Sequence, residues 1–212
     1  MKKLESTLPN MVIVLTAVTL ISAALLGVMQ QLTKDPIAQI ERKTLEDGIK
    51  KVMLAGAAGD LSVSKTDTIS NDNQEFIVYT AEVGGEVIGK AVKTTVTGFS
   101  PGLTVLAGFN NDGEILGYEI LATAETPGLG AKAGQWFQKD GKGCIIGKNP
   151  GDKPLSVKKD GGDVDAITAS TITSRAFLKA INLEYGALAG MAPSDTQSGA
   201  TVKVEAPKPV VE

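Results

Sequence analysis

The segment from Ser6 to Thr33 contains no charged residue, and Met11 to Met29 within it is almost wholly apolar. As a helix, a run of about 19 residues rises roughly 28 Å, close to the hydrocarbon thickness of a bilayer. Residues 11–33 are therefore predicted to form a single transmembrane helix after a short tail, 1–10. A cleaved signal peptide is the competing reading, because Lys2 and Lys3 make a basic start and Ser22-Ala23-Ala24 resembles a small-residue cleavage site. The apolar run continues past those alanines through Leu25, Leu26 and Val28, which favours a retained anchor. Thr16, Thr19, Ala23 and Gly27 fall near one helical face, where small and hydroxyl residues permit close helix approach or are merely incidental. Lys2 and Lys3 on one side are balanced by Lys34, Arg42 and Lys43 on the other, so charge alone does not set the orientation.

Composition closes off several kinds of chemistry. A net charge of −3 without a basic block argues against nucleic acid as a partner. The chain has no histidine and one cysteine, Cys144. That excludes a Ser-His-Asp triad, a His-ligated haem or metal site, an internal disulfide and a Cys-built zinc or iron-sulfur site within one chain. No residue is singled out as catalytic or metal-binding, and any redox chemistry has to come from an organic cofactor.

Beyond the apolar run, Ile37, Ile40, Leu45, Ile49 and Val52 alternate with charged residues at helical spacing, predicting an amphipathic linker helix over 34–56. Gly56 to Asn73 is small, polar and turn-rich and reads as a loop. Alternating runs at Phe76 to Val83 and Val87 to Val96 predict a hairpin turned at Gly84-Gly85. Leu103 to Phe109 and Glu114 to Ala122 predict a second, across Asn111-Asp112-Gly113. Ala131 to Lys139 reads as a short helix whose Trp136 and Phe137 are assigned to the core in preference to stacking on a ligand ring. Pro150 to Asp163 reads as a surface loop. Ile172, Ala176, Phe177, Ala180, Ile181 and Leu188 recur at three- and four-residue steps, predicting a helix from about Ser170 to Ala189 with Arg175 and Lys179 off its apolar stripe. The fold class is α+β, with antiparallel hairpins packed against helices in one domain over 57–190 and a disordered tail over 191–212.

The run Asp165-Ala-Ile-Thr168-Ala-Ser-Thr171-Ile-Thr-Ser174 places hydroxyls and a carboxylate directly before and into that last helix. Hydroxyl residues there ordinarily cap the free N–H groups of the first turn. The same N–H groups, with the positive end of the helix dipole, also suit a phosphate. Upstream, Glu125-Thr-Pro-Gly-Leu-Gly130 carries a turn signal at Pro127-Gly128, and its two glycines let the backbone approach a ligand.

These two runs, in this order, resemble the flavinylation motif and the Glu-Thr-Pro-Gly-Leu-Gly loop of FMN-binding domains. Such domains occur in the G subunit of Rnf-type ion-translocating ferredoxin:NAD oxidoreductases, and in the similar C subunit of the sodium-translocating NADH:quinone oxidoreductase. Gly98-Phe-Ser-Pro-Gly-Leu-Thr104, Ala107-Gly-Phe and the turn at Asn110-Asn-Asp-Gly113 extend the resemblance over about residues 85 to 190. Many relatives carry a histidine shortly before the Glu-Thr-Pro loop, where this chain has Thr123 or a neighbour.

The resemblance implies FMN held by a phosphodiester to Thr171, made by a separate flavin transferase. Asp165, Thr168, Ala169 and Ser170 fill the preceding motif positions, with Thr173 and Ser174 after it. From position, Thr168, Ser170, Thr173 and Ser174 are expected to cradle the phosphate with the helix amides. Glu125, Thr126, Gly128, Leu129 and Gly130 would border the flavin ring, and Asp165 would orient the Thr171 hydroxyl, take part in maturation or simply serve as a turn residue. Other membrane and iron-sulfur subunits and membrane lipid are the implied partners. The implied location is the bacterial inner membrane, with the N terminus cytoplasmic and the flavin domain outside. A cofactor-free structural domain and a binding module with noncovalent flavin are the rival readings.

Overall fold

A computed structural model of the chain describes residues 7–54, 61–71 and 74–190. The expected tail over 191–212 and most of the 1–10 tail lie outside the described residues. The chain divides into two compact units at Leu45/Glu46. Helix α1 (Leu8–Met53) supplies the described part of the first and ends within the second; in the first it exposes its apolar side chains from Leu8 to Leu32, and Ile37 and Ile40 beyond them. The two helices read separately from the sequence are thus one continuous element. Pro36, which has no N–H to return to the preceding turn, lies inside it.

The second unit is built on a five-stranded antiparallel meander ordered β1-β2-β3-β4-β5. Its strands are β1 (Leu61–Asn71), β2 (Gln74–Val83), β3 (Glu86–Val96), β4 (Leu103–Asn110) and β5 (Ile115–Ala122). Gly84 and Gly85 both have positive φ, 62° and 88°, which is what a two-residue turn matched to strand twist requires. At the second hairpin the Asn110 side-chain oxygen accepts from the Asp112 and Glu114 amides, with Gly113 left-handed. Strand β1 corrects the reading of 56–73 as a loop. Its polar stretch Ser64 to Ser70 gave no apolar alternation because it is an edge strand, largely exposed and studded with Lys65 and Asp67.

After the short helix α2 (Ala133–Trp136), helix α3 (Thr171–Ala189) lies across β2, β3 and β4. Between helix and sheet Phe177 stacks on Phe137 at 4.5 Å and meets Tyr118 edge-on at 4.7 Å. Ile172, expected on the core stripe, is instead 55% exposed and lines a cavity, while Thr173 and Ser174 beside it in the first turn of α3 are buried. The segment from Pro150 to Asp163 lacks regular strands, yet it is not a purely surface loop. Leu155 and Val157 are buried, and Asn182 of α3 donates to the Leu155 carbonyl and accepts from its amide at 2.8 and 2.9 Å. Arg175, also on α3, makes a two-pronged ion pair with Asp160.

The opposite sheet face receives the last two turns of α1. Gly108 and Gly117 sit directly opposite each other on β4 and β5. A Cβ at Gly108 would lie 2.9 Å from both the Met53 sulfur and the Val52 carbonyl oxygen, and one at Gly117 would lie 3.1 Å from that oxygen. Two bare backbone positions are what let the helix end pack this closely, and Ile49, Val52 and Met53 are buried as a result.

Helix α3 also buries a carboxyl group. Glu184 is 0% exposed, and neither oxygen has a hydrogen-bond partner of good geometry. Burial raises its pKa well above the ordinary value, opposed in part by the Thr94 amide, so the fold favours the protonated form. A carboxyl whose folded pKa is raised leaves stability intact below its unfolded pKa of about 4.3, and stability declines as pH rises toward the folded value. Glu184→Gln removes that titration. Melting curves of variant and wild type should converge near pH 4 and separate toward pH 8 in favour of the variant; a gap independent of pH would contradict this assignment.

Candidate functional site

Two segments far apart in sequence meet beside the N-terminus of α3. The first begins where Thr123 accepts a hydrogen bond from the Glu125 amide at 3.1 Å. It then turns at Pro127-Gly128: Leu129 N–H bonds to the Thr126 carbonyl at 3.1 Å and Gly128 has φ 78°. Proline followed by a left-handed glycine between these two groups is a type II turn. The chain beyond is fixed by Tyr118, whose hydroxyl donates to the Ala133 carbonyl at 2.6 Å and accepts from the Phe137 amide at 3.2 Å. Burial pushes the Tyr118 phenol well above its ordinary pKa, keeping it a donor.

The second segment is the hydroxyl-rich run. Trp136 ties it to the first by donating from its indole nitrogen to the Asp165 carbonyl at 2.8 Å. Ser174 locks the approach to α3, accepting from the Ile167 amide and donating to the Ser170 carbonyl, both at 2.9 Å. Ala169 is left-handed at φ 61°, which swings the backbone into the first helical turn. Ser170 occupies the cap position, but its side chain makes no capping bond. Among the described residues, no hydrogen bond satisfies the N–H groups of Thr171, Ile172 and Thr173. The expected cap is therefore absent, and three amides at the positive end of α3 remain available to an anion.

Glu125 joins the two segments. Its side chain is only 6% exposed; one carboxylate oxygen accepts from the Ser100 amide at 3.1 Å and the other from the Thr173 hydroxyl at 2.8 Å. A Cβ added at Gly98 or Gly130 would come within 2.3 or 2.4 Å of those oxygens, so glycine is required at both positions to admit the carboxylate.

The resulting cavity, of about 340 Å³, is lined by Phe99, Glu125, Thr126, Leu129, Gly130 and residues 169–173. That is at the small end of the range for small-molecule sites, so a ligand the size of FMN would be only partly enclosed. Its rim is apolar: Phe99, Leu129 and Ile172 are 70%, 41% and 55% exposed. The arrangement offers a hydroxyl nucleophile at Thr171, an anion seat in the amides beside it, and apolar side chains for a flat ring.

Of the residues expected at the site, Glu125, Thr126, Leu129, Gly130, Ala169, Ser170, Thr171 and Thr173 line this cavity together. Thr168 is exposed and outside the lining, Gly128 serves the turn, and Ser174 is fully buried beneath the helix start. Thr173 donates its hydroxyl proton to Glu125, so it is not a free donor to a phosphate. Asp165 pairs with Lys158 at 2.8 Å and makes no bond to Thr171. Phe99 and Ile172 were missed as lining residues. Phe99 sits in the matched Gly98-Phe-Ser-Pro segment, which was the available signal, whereas Ile172 was assigned to the core by periodicity alone.

A family model described as "FMN-binding domain" matches residues 98–183, which span both sides of the cavity. The chain is 32% identical over 181 residues to the G subunit of the ion-translocating oxidoreductase complex of Shewanella oneidensis, covering 80% of this chain and 84% of that protein. It is 30% identical over 190 residues to the protein of the same name from Aliivibrio fischeri, covering 83% and 88%. A shorter match, 41% identical over 112 residues, covers 50% of this chain and 52% of the G subunit of the Na(+)-translocating ferredoxin:NAD(+) oxidoreductase complex of Acetobacterium woodii.

Removing one donor from a buried carboxylate costs about 1–3 kcal/mol. Thr173→Val, which keeps the side-chain shape, should lower unfolding stability by about that amount in thermal or denaturant unfolding of the detergent-solubilised protein. An unchanged stability would mean that the Glu125 to Thr173 bond does not hold the site together.

Proposed function

The chain belongs to the family of G subunits of ion-translocating oxidoreductase complexes, and from that premise we propose that it is a membrane-anchored flavoprotein subunit relaying electrons through covalent FMN. It is a component of an oxidoreductase, not a catalyst alone. The observation that carries the reading is the Thr171 hydroxyl at the first position of α3, beside three unpaired amides, in one cavity with the Glu-Thr-Pro-Gly-Leu-Gly loop.

The residues present fit the cofactor. Thr171 supplies the ester oxygen, and the amides of residues 171–173 seat the phosphate. Ser170, whose hydroxyl is not spent on capping, can add a donor. Phe99, Leu129 and Ile172 would offer apolar surface to the ring. Bound FMN supplies one- and two-electron redox chemistry. Tethering it through Thr171 keeps it in place outside the cytoplasm, where a dissociable cofactor would be lost to dilution.

Residues 11–33 of α1 form the bilayer span, and the domain they anchor lies on the extracytoplasmic side. The partners are the other membrane and iron-sulfur subunits of an Rnf-type complex, with a flavin transferase for maturation.

Two outcomes check this reading. Full-length protein coexpressed with a flavin transferase should give a fluorescent flavin band on a denaturing gel, and Thr171→Ala should abolish it. No band from the wild type, or a band persisting in Thr171→Ala, contradicts the covalent assignment. The same protein should stay in the membrane pellet through an alkaline carbonate wash, since about 20 apolar residues anchor stably; release into the supernatant contradicts the span.

A further inference from the structure

Glu125 brings a fixed negative charge to the cavity. Both carboxylate oxygens act as acceptors, one toward a backbone N–H and one toward a hydroxyl. Neither donor carries a charge, and among the described residues no lysine or arginine pairs with Glu125. Gly98 and Gly130 make room for the group here, and swinging out to water would break both of its hydrogen bonds. A charge that is buried, neutralised by no cation and held in place acts on its surroundings through a low effective dielectric.

We propose that Glu125 sets the reduction potential of the flavin held in this cavity, lowering it by opposing the negative charge that reduction brings to the ring. The inference rests on the FMN reading above. Glu125 neither gives nor takes electrons; it acts by its charge and keeps both hydrogen bonds throughout. Reduced flavin beside it is a stronger reductant than the same flavin in a neutral cavity.

Two substitutions separate charge from architecture. Glu125→Gln is nearly isosteric: its amide oxygen can still accept from Ser100, and its NH2 can donate to Thr173. It removes the charge and keeps both contacts, with the Thr173 hydroxyl turned from donor to acceptor. Thr173→Val leaves the charge and removes the O–H dipole that partly offsets it. The charge account therefore moves the potential in opposite directions, up in Glu125→Gln and down in Thr173→Val, whereas loosening of the cavity would move both the same way.

The test is an equilibrium dithionite titration of the full-length, detergent-solubilised protein against reference dyes, followed by flavin absorbance, with covalent loading checked on a denaturing gel. Glu125→Gln should shift the redox equilibrium about tenfold toward reduced flavin, about 30 mV upward for a two-electron couple. Thr173→Val should shift it downward. A Glu125→Gln potential equal to or below that of wild type overturns the proposal, as does an upward shift in Thr173→Val, which decides the matter even if Glu125→Gln fails to fold. A wild type without a flavin band overturns the FMN reading instead.

Discussion

The Glu125 carboxylate is the joint on which the cavity depends. It gathers the amide of Ser100, the loop ending at Gly130 and the first turn of α3 around one buried charge. Away from it, the chain after the loop is tied toward the helix by the Trp136 bond to Asp165 and by the stack of Phe137 on Phe177. The amides of residues 171–173 suit an anion, while the buried carboxylate bonded to Thr173 beside them resists added negative charge.

Support for that joint comes from both faces of the sheet. On one, α3 is held by the stacked Phe137 and Phe177 and by Asn182, which pins the Leu155 backbone with a paired hydrogen bond. On the other, the end of α1 sits on the bare backbone of Gly108 and Gly117. Small residues in β4 and β5 thus serve packing, whereas Gly98 and Gly130 serve the site. The same residue type does different work according to what approaches it.

Sequence patterning made much of this legible. Helix α3 and both hairpins followed from apolar period and turn chemistry, since Gly84-Gly85 and Asn111-Asp112-Gly113 demand backbone that few other residues adopt. Two motifs in the right order brought most of the cavity lining into view. What stayed hidden depends on tertiary contact. Strand β1 is a polar edge whose pairing leaves no hydrophobic period. Asn182 and Glu184 look like ordinary polar residues on a helix until the sheet covers them. The roles of Thr173 and Ser174 turned on which neighbour takes each hydroxyl: a carboxylate 48 residues away for one, the preceding turn for the other. Spacing could place five hydroxyls near a phosphate but could not say that two were already engaged.

Of the run's hydroxyls, Ser170 and Thr171 line the cavity without being spent on a neighbour, and Thr171 stands at the first position of α3. Trypsin releases it in the peptide Asp160 to Arg175, which also holds Thr168, Ser170, Thr173 and Ser174. Fragment-ion mass spectrometry of this peptide, from protein coexpressed with a flavin transferase, tests the central claim most directly. The expected result is the mass of FMN less one water, localised to Thr171. An unmodified peptide, or the added mass on Thr168 or Ser170, would contradict it.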